Sequence, residues 1–280
     1  MRLAEELALA ARTGVPAPML SRRYPELTLA DAYRIQQIST RWRLRAGARV
    51  AGHKIGLTSA AMQEQMGIHE PDSGVVLDHM VAASGSRLRV SDFMTPRIET
   101  EIAFRLGRDL TGPADLDAVR TAVAEVFLAF EILDTRFAGW DITLVDSIAD
   151  NAACAGVIVG SPVPFHPTWD LGAEQITATA NGTLAGAGQG RDILGDPLKA
   201  LVWLARRLSG LNMGLRAGDI VLAGSVHASL PLPLSPGTHF RATSTRLPAI
   251  NLHVLPADAE SEDLCRPLPP SSGPGSSLST

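Results

Sequence analysis

The chain has 280 residues, 45% of them hydrophobic, which suffices for one large domain or one domain with a smaller appendage. Acidic side chains (29) slightly outnumber basic ones (25), no Lys/Arg run stands out, and aromatics make up only 5%, so neither a phosphate backbone nor stacked bases find a surface here. No apolar stretch approaches the roughly 20 residues that cross a bilayer.

The first residues, Met1 to Arg12, are apolar enough to resemble a short export signal, but Glu5, Glu6 and Arg12 interrupt them at the spacing of an amphipathic helix. Cys154 and Cys265 are the only cysteines, which argues against a disulfide framework and fits a reducing cytoplasm. Residues 1 to about 47 read as two helices. Thr28 is the candidate N-cap of the second, with Asp31 three positions on and Ala32, Ile35 and Ile38 on one face. A short strand follows over 50–56, and Ser59 opens a short helix ending at Gly67.

From about residue 70 strands dominate, near 74–77, 97–106, 126–134, 155–160, 173–181, 183–187, 219–223, 238–243 and 249–254. Asn181-Gly182 between two alternating runs signals a hairpin. Helices interrupt the strands over 115–125 and from Pro197 to Ser209, the latter with Asp196 as N-cap and Gly210 past its end. Hairpins mixed with a few helices predict an α+β fold around a mixed or antiparallel sheet, not a repeated βαβ series. The expected divisions are an N-terminal helical and mixed region over 1–80, a catalytic β domain over 81–255, and a tail over 256–280. The tail is too rich in Pro, Ser and Gly to bury a core and is expected to be disordered.

Three glutamates stand out. In Arg97-Ile-Glu-Thr-Glu-Ile-Ala-Phe104, period-two alternation puts Glu99 and Glu101 on one strand face and Ile98, Ile102 and Phe104 on the other. Glu131 lies near the end of Val126-Phe-Leu-Ala-Phe-Glu-Ile-Leu-Asp134, a run bulky enough to be buried on both faces. A buried carboxylate needs a counter-charge or a metal, and three that converge suit a hard divalent ion. The plainer alternative is a solvent-facing Glu-x-Glu, with Glu131 paired to Arg97, Arg105 or Arg136.

Lys54, in Gly52-His-Lys-Ile-Gly56, is a lone cation between glycines that allow close approach of a ligand. It could receive a carboxylate, act as an acid or base after its pKa is lowered, or simply be a surface lysine. His53 would point to the opposite side. Asp72, in the turn-like Glu70-Pro-Asp-Ser-Gly74, is either a general base in a loop over the site or a plain turn residue. Gly224-Ser225-Val226-His227 lacks the second glycine of a nucleophile elbow, so Ser225 reads as a hydrogen-bond donor to a ligand. The histidine spacings give zinc no support, and Gly186-Ala-Gly-Gln-Gly190 lacks the setting of a dinucleotide fingerprint.

Several of these segments together resemble the 2-keto-4-pentenoate hydratase family of the fumarylacetoacetase-like superfamily. They are Gly-His-Lys-Ile-Gly-Leu-Thr-Ser (52–59), Glu-Pro-Asp-Ser-Gly (70–74), Pro-Arg-Ile-Glu-Thr-Glu-Ile-Ala (96–103) and Glu-Ile-Leu-Asp-Thr-Arg (131–136). Ile148-Ala-Asp-Asn-Ala152, the stretch from Leu194-Gly-Asp-Pro197 to Ala205, and Ala-Gly-Asp-Ile-Val-Leu-Ala-Gly-Ser (217–225) extend the match to about residue 255.

The resemblance implies a mixed β-roll core with an N-terminal helical part. It also implies Mg2+ or Mn2+ on Glu99, Glu101 and Glu131, catalytic roles for Lys54 and Asp72, and a substrate contact from Ser225. The implied reaction adds water to a 2-hydroxy-2,4-dienoate from meta-cleavage of aromatic compounds, giving a 4-hydroxy-2-oxo acid. The alternatives are a 4-oxalocrotonate-type 2-oxo-3-enedioate decarboxylase and a non-catalytic partner subunit of the same fold. The resemblance further implies a homo-oligomer, one that could associate with a pathway aldolase or decarboxylase, and the cysteine content and interrupted N-terminus place it in the cytoplasm. Ser73 and the segment Val226-His227-Ala228-Ser229 depart from the usual family pattern near the expected pocket, which bears on the substrate's tail.

Overall fold

The computed structural model describes residues 1–59, 63, 70–232 and 237–255. Most of the helix expected between Ser59 and Gly67, and all of the tail expected to be disordered, lie outside the described residues. The N-terminal segment forms α1 (Arg2–Thr13), α2 (Leu20–Arg23) and α3 (Leu29–Arg45), so a four-residue turn of helix stands between the two expected ones. The Thr28 hydroxyl accepts from the Asp31 amide at 3.2 Å and the Asp31 carboxylate accepts from the Thr28 amide at 3.1 Å, which starts α3 with a capping box. Leu7, Leu20, Ala32 and Ile35 from these helices pack with Phe137 and Ile148.

Two mixed sheets follow. The larger comprises β1 (Val50–Gly56), β2 (Asp72–Leu77), β3 (Val81–Ala83), β5 (Arg97–Leu106), β6 (Val123–Leu133), β7 (Cys154–Val159) and β11 (Ile220–Ser225), ordered β2-β1-β11-β5-β6-β7-β3. Two short strands extend it, β8 (Val163–Pro164) on β6 and β12 (Leu230–Pro231) on β5. The smaller sheet is ordered β10 (Thr183–Gln189), β9 (Gln175–Ala180), β13 (His239–Ser244), β14 (Ile250–Leu255) and β4 (Arg87–Arg89). Asn181 and Gly182, with φ of 50° and 80°, make the expected tight turn between β9 and β10. The strands β3, β4, β8 and β12 are only two or three residues long, too short for alternation to reveal them.

The helices α4 (Leu116–Ala122), α5 (Leu144–Ala149) and α6 (Pro197–Ser209) connect these strands. Asp196 caps α6 by accepting from the Leu198 amide at 2.9 Å. The helix expected over 115–125 ends at Ala122, because Val123 and Val126 pair with Leu106 and Phe104 across the sheet. β-branched side chains fit that pleated surface better than a helix.

Alternation along β5 and β6 divides the interior. Ile98, Ile102, Phe104, Val126, Leu128 and Phe130 face the main core, which the smaller sheet and α6 cover with Phe240, Ile250, Leu252, Leu201 and Leu204. Each such side chain contributes about 1.5–3 kcal/mol on burial. The opposite face carries a smaller cluster of Ala103, Phe127, Ala129, Val157 and Leu222. The large sheet curls until β2 lies against β7, far from it in strand order. Asn151 bridges the gap, accepting from the Val75 amide at 2.8 Å and donating to the Val75 carbonyl at 2.9 Å. The three glutamates therefore lie on the concave side of a curled sheet.

Candidate active site

Glu99 and Glu131 are directly opposed in the antiparallel β5–β6 ladder, and Glu101, two residues on, pairs with Ala129 on one side and Ser225 on the other. One carboxylate oxygen from each glutamate lies within 4.8 Å of those from the other two. Glu101 and Glu131 are fully buried and Glu99 is half-buried. Burial, reinforced by the charge on Glu131, pushes Glu99 up to about 8 and Glu101 well above the ordinary carboxylate range. Glu131 is raised as well, chiefly by burial.

Among the described residues, Glu101 Oε1 and both oxygens of Glu131 are buried without a hydrogen-bond partner. Glu101 Oε2 accepts from the Gly224 amide at 2.6 Å. Hard oxygen donors that converge, repel one another and lack hydrogen-bond partners fit a divalent cation, whose charge would offset their crowding. The solvent-facing alternative does not hold for Glu101 and Glu131. Nor does any of the three arginines considered pair with Glu131: Arg105 takes Glu125 at 2.9 Å, Arg136 takes Asp150 at 2.5 Å, and Arg97 donates to Ser229.

The cation that does approach is Lys54, which is 3% exposed and so not a surface lysine. Its Nζ lies 3.6 Å from Glu131 Oε1 and 3.9 Å from Asp72 Oδ1. Burial alone would lower its pKa, but Glu131 and Asp72 outweigh that and hold it above the ordinary lysine range. Of the alternatives open to Lys54 in the sequence, a lowered pKa and a surface position do not hold, and the ammonium form that could receive a carboxylate is the one favoured here.

The two glycines beside Lys54 serve chain packing. A Cβ on Gly52 would meet the Ile220 carbonyl oxygen at 1.8 Å, and one on Gly56 would meet Asp72 Oδ1 at 2.3 Å and Lys54 Nζ at 3.0 Å. His53 is buried on the other side of β1, as alternation requires, and burial brings it down to about 4.

Asp72 is not in a loop but is the first residue of β2, 2% exposed, opposite Gly56 in the β1–β2 ladder. Its Oδ2 accepts from Ser147 Oγ at 3.1 Å. Ser73 turns the other way, its amide donating to Tyr33 Oη at 3.2 Å and its carbonyl accepting from Gln36 at 2.8 Å, so it faces α3 rather than the carboxylates. Ser225 Oγ donates to the His227 carbonyl at 2.6 Å, while the His227 ring bonds Thr100 Oγ1 at 2.9 Å. Serine and imidazole are therefore not paired as nucleophile and base.

A family model described as the fumarylacetoacetate (FAA) hydrolase C-terminal domain matches residues 50–255. The chain is 40% identical over 225 residues to a 2-keto-4-pentenoate hydratase of Paraburkholderia xenovorans (strain LB400), covering 80% of this chain and 83% of that one. The chain belongs to the fumarylacetoacetate hydrolase family, among the 2-keto-4-pentenoate hydratases. It is also 36% identical over 262 residues to a 2-oxo-hept-4-ene-1,7-dioate hydratase of Escherichia coli, covering 90% of this chain and 97% of the relative. A 4-oxalocrotonate decarboxylase from Pseudomonas putida G7, solved with magnesium and adipate, superposes with a TM-score of 0.86 at 28% identity, covering 91% of this chain and 96% of that one. The strands of this family fold are the ones that carry Lys54, Asp72 and the three glutamates.

Sequence reasoning assigned no role to the residues that hold the site in place, although Asn151 lies within the 148–152 family segment. Ser147 lies in α5, six residues long and too short for periodicity to reveal, although Thr143 and Asp146 form its capping box. After it, Asn151, Ala152 and Ala153 all have positive φ, of 59°, 52° and 57°. Such non-glycine conformations cost roughly 1–2 kcal/mol each and persist only where surrounding bonds impose them. Here the Asn151 side chain on Val75 and the Ala153 carbonyl, which accepts from the Asp134 amide at 2.9 Å, do so. Cys154 follows, its thiol pushed up by burial and by the neighbouring Glu131 carboxylate.

Proposed function

We propose that the chain is a divalent-metal-dependent hydratase that adds water to a 2-hydroxy-2,4-dienoate of the 2-hydroxypenta-2,4-dienoate type, giving a 4-hydroxy-2-oxo acid in meta-cleavage catabolism. The observation that carries this reading is the convergence of Glu99, Glu101 and Glu131 beside a buried Lys54–Asp72 pair. The hydratase names of the relatives at 36–40% identity support the reaction.

Glu99, Glu101 and Glu131 would hold Mg2+ or Mn2+, and the neighbouring decarboxylase with magnesium bound supports that choice. Such an ion supplies Lewis acidity, favouring negative charge on the substrate's 2-oxygen. The protein's own groups do the rest. The 2-hydroxyl loses its proton and C5 gains one, which converts the dienol to a 3-en-2-one. Water then adds its hydroxyl at C4 and a proton at C3. Lys54, held as an ammonium, binds the substrate carboxylate or delivers a proton. Asp72, oriented by Ser147, removes a proton from the attacking water, and its Oδ1, which makes no hydrogen bond among the described residues and faces Lys54 at 3.9 Å, is the oxygen available for it. Ser225, beside Glu101 in the ladder, contacts the substrate.

The structural neighbour favours one second reading, decarboxylation of a 2-oxo-3-enedioate, in which electrons from C–C cleavage replace those of water addition. Arg97 is a cation on the glutamate face, among the described residues, that could serve a second carboxylate, but it is committed to Ser229 at 2.7 Å and stacks on Trp140, which weighs for the hydratase. In use, the protein is proposed to be a cytoplasmic homo-oligomer that associates with a pathway aldolase or decarboxylase. Incubation of metal-loaded protein with 2-hydroxypenta-2,4-dienoate and with 4-oxalocrotonate separates the two reactions. The hydratase yields 4-hydroxy-2-oxopentanoate from the first and no CO2 from the second.

A further inference from the structure

Between the N-terminal helices and the end of the large sheet lies a cavity of about 550 Å3 that the proposed reaction does not use. That volume suits a small organic molecule. Its charged lining is almost wholly committed. Arg136 is paired with Asp150 at 2.5 Å, Asp92 with Arg89 at 3.6 Å, and Asp134 accepts from the amides of Met94 and Thr95 at 3.1 and 2.8 Å. Arg12 sits exposed at the rim.

Arg43 is different. It projects from α3 into the cavity, and its guanidinium has neither a hydrogen bond nor an ion pair among the described residues. Burial and the nearby Arg136 together bring it down to about 10, and the Asp150 carboxylate, already paired with Arg136, only partly offsets them. Trp42, Met80, Phe93 and Met94 give the wall an apolar stretch, beside neutral polar side chains that include Gln36, Ser39, Thr40 and Ser91.

We propose that this cavity binds a small apolar carboxylate, with the carboxylate on Arg43 and the hydrocarbon body against Trp42, Phe93 and Met94. A guanidinium fork matches a carboxylate with two parallel hydrogen bonds, and a desolvated one gains more from that pairing than an exposed one. Inorganic phosphate would satisfy the charge but leave the apolar wall unfilled, so the favoured ligand carries both features. The cavity reaches Cys154, next to Glu131, but none of the three glutamates lines it, and the proposal does not depend on the hydratase reading.

The test is calorimetric titration of the Mg2+-loaded protein with benzoate as the probe. Saturable binding with a Kd below about 1 mM is expected, weakened at least about tenfold in Arg43→Gln and unchanged in Glu101→Gln. Inorganic phosphate should compete poorly. Binding that survives Arg43→Gln, binding lost in Glu101→Gln, stronger competition by phosphate, or no saturable binding at all would each overturn the proposal. A second measurement needs no ligand. Arg43→Leu removes a charge that makes no hydrogen bond or ion pair among the described residues and should raise the melting temperature, whereas a lower one would show that Arg43 already has its partner.

Discussion

Lys54 Nζ stands between Glu131 and Asp72, 3.6 Å from the first and 3.9 Å from the second, although the three residues come from different strands of one sheet. β1 and β6 are separated in that sheet by β11 and β5, so the contact exists only because the sheet curls. The same curvature puts one ammonium against a group of carboxylates that would otherwise repel each other without relief.

Replacing that ammonium should therefore cost both stability and turnover. Lys54→Met leaves Glu131 and Asp72 buried without their cation, a loss of about 3–5 kcal/mol by analogy with broken buried ion pairs. Urea midpoints measured without added metal should show it, and steady-state assays with metal should show turnover abolished. Lys54→Arg keeps the charge and should recover much of the stability but little of the activity, because its planar fork does not fit the space of an ammonium.

Among the described residues, Ser147 bonds Asp72 and no other group of the site through its side chain. Ser147→Ala should lower kcat several-fold through loss of one hydrogen bond worth about 1 kcal/mol, while metal affinity measured by titration stays constant. A change in metal affinity without a change in kcat would contradict the assignment of Asp72 to proton transfer.

The closure of the curled sheet rests on Asn151. Asn151→Ala strips two hydrogen bonds from the buried Val75 backbone and removes the side chain that fixes a left-handed turn. A loss of about 2–4 kcal/mol is expected in urea unfolding, with turnover falling because β2 carries Asp72. An unchanged midpoint would mean that β2 is held elsewhere.

His53 makes stability pH-dependent. Burial lowers its pKa from the ordinary 6.5 to about 4, so in the window between those values the unfolded chain binds the proton and the folded chain does not. Stability from this group is complete above pH 6.5 and is lost as the pH falls toward 4, by roughly 3 kcal/mol in total. Urea midpoints across that range should fall in the wild type and fall less in His53→Gln.

Much of this arrangement was legible before any coordinates. Asp196, Pro197 and Gly210 mark α6, Asn181-Gly182 marks a hairpin, and the Glu-x-Glu spacing puts two carboxylates on one strand face, because each of these signals is local. What spacing alone left open was which cation meets Glu131, since strand order and sheet curvature are long-range properties. Arg97, Arg105 and Arg136 were all reasonable by proximity in sequence, and each is taken by a nearer partner. The turn-like Glu70-Pro-Asp-Ser-Gly74 misled in a different way: its composition suits a loop, yet Asp72 and Gly74 are needed in a strand where Lys54 passes against a position without a side chain. Of the turn at 151–153, only Asn151 carries a local preference for positive φ, and it was legible only within the 148–152 family segment; Ala152 and Ala153 carry none.

The most direct test of the account is to follow the dienol absorbance of freshly generated 2-hydroxypenta-2,4-dienoate with Mg2+-loaded protein, with and without chelator, and to identify the product. The account predicts loss of absorbance that stops when chelator is added, is absent in Glu131→Ala, and yields 4-hydroxy-2-oxopentanoate. Turnover that persists in Glu131→Ala or in the presence of chelator would contradict the metal assignment, and no turnover of this substrate by the metal-loaded wild type would contradict the hydratase itself.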